Sequence, residues 1–340
     1  MNVPRGSIVV LVLSSLLTIV NPVVTSADGS APVATTPHFA FYSDFDTNLN
    51  DALIAAGAAR NDGKPELFQS GERAKECFEE LPASARAGWD LAVDYYARVI
   101  APARWLDRQQ YLLRADLAGF GDLSDTRTQR FLQVGRGFRT AAAVAYESCR
   151  WSHQDAENRR WIEAVLPRLA AHESNITARL ERLYRTPWHD LPIRVDLVSA
   201  ALPVGANTIS RPPHIMISSS VADRDALEIV HHEASHTLMD RGDPMQQALA
   251  EAARKLDVRL PNDLWHVLLF YTTGEAVREA LEEAGEPDYV PYMYFHDLWK
   301  GRWGRYREAI EKTWPAYLSG QRDLSDAAVD LVRAVSAGDD

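Results

Sequence analysis

One five-residue pattern constrains this 340-residue chain more than any other: His232-Glu233-Ala234-Ser235-His236. On a helix, two residues four apart lie one turn apart on the same face, so both imidazoles can reach one metal ion. Glu233 projects about 100° further round, close enough to a water at such an ion to take its proton. The pattern therefore needs a helix. Leu227, Val230, Ala234 and Leu238 supply one, recurring at spacings of three and four. Asp223 or Asp225 is placed to cap its start, and Arg241-Gly242-Asp243-Pro244 to stop it.

A helix of this kind needs a scaffold, and the chain reads as α+β and predominantly helical. Residues 1–27 have the layout of a signal peptide: Arg5, an apolar run over 8–20, then Thr25-Ser26-Ala27. The run is short of the roughly 20 residues that span a bilayer, and no later stretch is long and apolar enough to do so. The expectation is an exported protein, periplasmic or extracellular, cleaved after Ala27. Export makes Cys77 and Cys149, the two cysteines, a candidate disulfide. The net charge of −11 comes without a basic block, which gives no electrostatic reason to bind nucleic acid or anionic membranes. Oligomeric state leaves no trace in the sequence.

Residues 28–37 are rich in Ser, Ala, Pro and Thr and read as a flexible leader. A helical region follows over 38–188. It opens on a short strand at Phe39–Tyr42 and a helix from Asn48 to Arg60. Further helical stretches run Arg86–Ile100, Arg104–Ala118, Thr126–Ser148 and His153–Tyr184, the last with Pro167 as a break or kink. From 189 to 340 the texture changes. Pro192–Val198 alternates and is rich in β-branched residues, Gly205–Ser210 is placed to pair with it, and Pro212–Ser219 gives another strand. A strand feeding into the motif helix sets a sheet edge beside it, able to hold an extended peptide by backbone hydrogen bonds. Helices are expected over Met245–Asp257 and Pro261–Leu281, the second capped by Asn262 or Asp263 and ended by Gly285. An aromatic loop, Tyr289–Trp299, leads to helices near Arg302–Leu318 and Leu324–Val335.

A catalytic zinc keeps three protein ligands and an open position. The helix after the motif offers Glu275 and Glu279, four apart on one face, and His266 on the opposite face, about 900° of turn away from Glu275. Both faces cannot meet the metal unless the helix breaks, and Gly274 is its weak point. On these residues the chain resembles the zincin metallopeptidases of the gluzincin, thermolysin-like type. There the motif helix is followed by a helix bearing a Glu ligand, with an acidic residue four positions on. The resemblance covers roughly residues 190–285. It implies a zincin-like core with a small β-sheet, Zn2+ held by His232, His236 and Glu275, Glu233 as general base and acid, and Glu279 supporting a ligand His. The metzincin pattern is absent: His236 is followed by Thr237-Leu238-Met239-Asp240-Arg241-Gly242.

The implied activity is zinc-dependent hydrolysis of a peptide bond in a peptide or protein substrate. His266 remains a rival ligand, a proton donor on the substrate side, or a core residue beside Trp265. Tyr271, Tyr292, Tyr294 and His296 join it as candidate donors to a developing oxyanion. His231 is expected to be exposed or to support a ligand. Two other readings stay open: an exported helical binding or scaffold protein with a vestigial or structural metal site, and a zinc hydrolase of a non-peptide bond.

Overall fold

The computed structural model describes residues 31–69, 72–102, 108–120, 123–240 and 242–337. The expected signal peptide lies outside them. Strands β1 (Ala34–Thr35) and β2 (Phe39–Tyr42) open the described chain. Six helices follow: α1 (Phe45–Asn61), α2 (Glu72–Glu80), α3 (Ala83–Tyr95), α4 (Arg108–Leu117), α5 (Thr126–Tyr146) and α6 (Ser152–Tyr184). Strands β3 (Ile193–Val198), β4 (Ala206–Ser210) and β5 (Pro213–Ser218) then lead into the motif helix α7 (Asp223–Ser235). The rest is helical: α8 (Pro244–Leu256), α9 (Leu264–Glu283), the one-turn α10 (Tyr292–Phe295), α11 (Gly304–Thr313), the one-turn α12 (Pro315–Leu318) and α13 (Leu324–Ala337). The chain is thus mostly helical around one small mixed sheet.

That sheet has the order β1-β2-β3-β5-β4. Strands β2, β3 and β5 run parallel, and the two outer strands are antiparallel to their neighbours. Three expectations change here. Ala34–Thr35, inside the stretch read as a flexible leader, pairs with Phe41 and Ala40. The Gly205–Ser210 stretch does not pair with β3: only two residues, Arg211 and Pro212, separate β4 from β5, so these two close as a hairpin and β5 takes the place beside β3. Pro167 does not break α6. It and Glu163, whose carbonyl it leaves without a helical donor, are both exposed, so water can satisfy that carbonyl.

The two faces of β3 and β5 divide the interior. Ile193, Val195, Leu197, Ile215 and Ile217 point into the main core, shared with α6, α7, α8, α9, α11 and α13. A second core joins α1, α3 and α5. Between α5 and α6 the helix continues through a wider π-type turn, Glu147–Trp151, where Cys149 forms the expected disulfide with Cys77 of α2. Among the described residues no helix is long and apolar enough to cross a membrane.

Candidate metal centre

Helix α7 is buried along nearly its whole length, because it lies between the sheet, α6 and α9. Its N-cap is Ala222, and no side chain caps it. Asp225 is instead engaged by His296, whose Nε2 lies 2.8 Å from its Oδ2. The helix gives way to turns at His236, one turn earlier than the apolar periodicity suggests, and α8 starts with Pro244 at its first turn.

Helices α7 and α9 pack antiparallel, and their facing residues form a ladder. Gly274 lies against Glu228, the Phe270 ring stacks on His232 at 3.6 Å, and His266 meets His236 with ring centroids 5.1 Å apart. The last rung completes a cluster. One nitrogen from each of His232, His236 and His266 lies within 4.8 Å of the other two. Zn–N bonds of about 2.0–2.1 Å allow ligand nitrogens to stand about 4 Å apart at most, so a small inward turn of the rings suffices to close on one ion. His232 is fully buried, while His236 and His266 keep partial exposure, so the cluster opens to solvent on one side.

Burial leaves all three imidazoles neutral. It carries His232 well below its ordinary value, with His236 and His266 adding repulsion. It takes His236 down to about 3 and His266 to about 4, the latter helped by Arg302. Neutral imidazoles present lone pairs, which is what a cation requires of them. Three neutral nitrogens with no carboxylate among them suit a borderline metal such as zinc better than magnesium or calcium.

Glu233, the residue inside the motif, is buried, and burial raises its carboxyl to about 7. Thr208 of the edge strand β4 holds it: the hydroxyl lies 2.6 Å from Oε2 and 3.0 Å from the Glu233 carbonyl. Behind β4, the buried Arg114 of α4 donates to Asn207 and, at 3.2 Å, to the His214 carbonyl of β5. Its charge also acts on Glu233, against the effect of burial.

The other expected site residues sit elsewhere. Glu275 does not join the cluster; α9 is unbroken at Gly274, so with His266 turned toward α7 the opposite face carries Glu275 away, into an ion pair with Arg278 at 2.8 Å. Glu279 pairs with Arg179 of α6 at 3.0 Å and supports no ligand His. Tyr271 is buried, raised by that burial and by Glu275 and Glu311, on a different side of α9 from His266. Tyr294 donates to Glu311 at 2.9 Å. Tyr292 comes nearest, its ring stacked at 6.1 Å on the Phe270 ring that covers His232. His231 is not exposed, and its ring turns to other partners than the cluster: it is fully buried, edge-on to Phe39, with Nδ1 2.7 Å from the Leu227 carbonyl.

Sequence reading missed Thr208, Arg114, Phe270 and Glu228. Glu228 is the least expected, a fully buried carboxylate one turn before His232. Its Oε2 accepts from the Tyr289 hydroxyl and the Tyr292 backbone N–H, both at 2.7 Å, and burial raises it to about 7. A glutamate at that position of an amphipathic helix reads as a surface residue; only Gly274 opposite makes room for it. No family model, curated protein or solved structure matches this chain.

Proposed function

We propose that this chain is a zinc-dependent hydrolase of the HExxH type, acting on the amide bond of a peptide or protein, with His232, His236 and His266 as its metal ligands. The observation that carries the reading is the buried, Thr208-held Glu233 set between two of three converging neutral histidines. A purely structural ion needs three or four donors but no carboxylate poised beside them. The reading keeps the zincin resemblance at the motif and replaces its Glu275 by His266. The disulfide between Cys77 and Cys149 supports an exported protein, in keeping with the signal-like residues 1–27.

His232, His236 and His266 would hold the zinc ion, which would supply Lewis acidity toward a carbonyl and toward water near neutral pH. The chain's own residues do the rest. Glu233 accepts the proton of the attacking water at its carboxylate and returns it to the departing amine. The Thr208 hydroxyl donates to Oε2 and fixes which way the carboxylate faces. Burial of His232 and Glu233 limits the screening of these charges by bulk water. The edge strand β4 lies beside Glu233, and among the described residues no further strand pairs with its outer edge, where an extended substrate can lie.

Elemental analysis of the purified mature chain and cleavage of a peptide library test the reading together. About one zinc per chain is expected, lost in His232→Ala and His266→Ala and kept in Glu275→Gln. Glu233→Gln should keep the metal and lose cleavage by a factor of about 100 or more. A wild-type chain that takes up no zinc on reconstitution would falsify the proposal.

A further inference from the structure

Among the described residues, two polar atoms at the α7–α9 contact are buried with no hydrogen-bond partner: Nδ1 of His232 and Oε1 of Glu228. They belong to residues four apart on one helix, whose side chains stand about 5–6 Å apart at Cβ. Both face α9, at the adjacent rungs made by Phe270 and Gly274. An unpaired buried N–H or carboxylate oxygen is costly, and two such atoms of opposite hydrogen-bonding sense one turn apart cancel each other's cost by pairing. Gly274 is part of the arrangement: a Cβ there would stand 2.9 Å from Glu228 Oε1 and 3.0 Å from Pro291. Only glycine leaves the carboxylate its place. The opposite oxygen is anchored by Tyr289 and Tyr292, so the group is held at one end, and its second oxygen, beside Gly274, has no hydrogen-bond partner of its own.

We infer that Glu228 is the positioning residue for the metal site: its free oxygen accepts the Nδ1–H of His232 and so holds that ring in the tautomer whose Nε2 lone pair faces the cluster. The inference rests on the metal reading above. It places the supporting carboxylate on the motif helix itself, one turn before the first ligand, and not at Glu279. Ligand histidines are commonly fixed this way by an acceptor on the far nitrogen, and loss of that acceptor typically weakens metal binding 10- to 100-fold.

Glu228→Gln makes a sharp test because the backbone N–H of Tyr292 can only donate. The carboxamide oxygen must stay with that N–H, so the NH2 turns toward Nδ1, where it suits the wrong tautomer. The measurements are the zinc dissociation constant by chelator competition and the His232 tautomer from ¹⁵N-histidine NMR, on the full mature chain. Wild type should show Nδ1–H with zinc at Nε2. Glu228→Gln should weaken zinc about 10- to 100-fold. Tyr289→Phe, which removes one of the two far-side bonds and keeps the Tyr292 N–H, should weaken zinc less than Glu228→Gln does. Zinc at Nδ1 of His232, or a Glu228→Gln protein as tight as wild type, overturns the inference while leaving the metal reading intact. The tautomer in wild type decides the matter even if the glutamine variant fails to fold. No zinc binding by wild type overturns both.

Discussion

Replacing His214 by Gln should remove about 3 kcal/mol of acid sensitivity from the fold. His214 stands on β5, fully buried, on the sheet face opposite the main core. Its Nε2 lies 2.6 Å from Asp196 of β3, which also accepts two bonds from Arg194, at 2.6 and 3.0 Å. Arg114 approaches from α4, donating to the His214 carbonyl, and the Phe120 ring lies edge-on. Two guanidiniums therefore already face the one carboxylate beside His214, and a protonated imidazole would add an unbalanced buried charge. Burial accordingly takes His214 from 6.5 down to about 4, against the pull of Asp196. Asp196 is held well below the carboxylate range by Arg194 and His214, whose effect exceeds that of its burial.

A folded-state pKa below the unfolded one means that the unfolded chain binds the proton first. The stability tied to His214 is complete above pH 6.5 and is lost as the pH falls toward 4. Over that window the loss is about 3 kcal/mol, from 1.36 kcal/mol per pKa unit. Gln keeps an N–H for Asp196 and does not titrate. Denaturant unfolding of wild type and His214→Gln at half-unit steps from pH 7.5 to 4 isolates the effect, since other acid-sensitive groups cancel in the difference. Wild type should lose its advantage steadily below pH 6.5. A difference that stays constant within about 0.5 kcal/mol, the usual scatter of such comparisons, would refute the neutral buried imidazole.

Three other changes have definite outcomes. Thr208→Val deletes the bond to Glu233 with little change of volume. A hydrogen bond to a charged group is worth about 1.5–3 kcal/mol, so peptide cleavage should fall about tenfold to a hundredfold with zinc content unchanged, measured by kcat/KM and metal analysis. Gly274→Ala places a methyl against Glu228 and Pro291, so the melting temperature should drop despite alanine's better helix propensity, the overpacking costing about 1–3 kcal/mol. Opening the Cys77–Cys149 bridge, which closes a separation of 72 residues, should cost about 4 kcal/mol in the chain-entropy account, read from denaturant curves of oxidised protein and Cys77→Ser/Cys149→Ser. Equal midpoints for the two would show that the bridge constrains nothing.

The sequence by itself determined what depends on neighbours along the chain. The motif helix, the strands Phe39–Tyr42, Pro192–Val198 and Pro212–Ser219, and the helical character of the first half all follow from apolar periodicity and from Gly and Pro stops, and they stand in the structure within a turn or so. The sequence also posed the third-ligand question in its final form: on one unbroken helix, His266 and Glu275 exclude each other. It could not answer it. Which face of α9 meets α7 is settled by packing, where Phe270 covers His232 and Gly274 receives Glu228, and those contacts bring His266 to His236 and send Glu275 to Arg278. The same holds for Thr208, which reaches Glu233 only because β4 closes on β5 at the sheet edge, and for Arg114, which arrives behind that edge from α4. Periodicity records which side of an element is apolar. It carries no record of which partner that side will meet, and three of the residues around Glu233 and His232 are supplied by those partners.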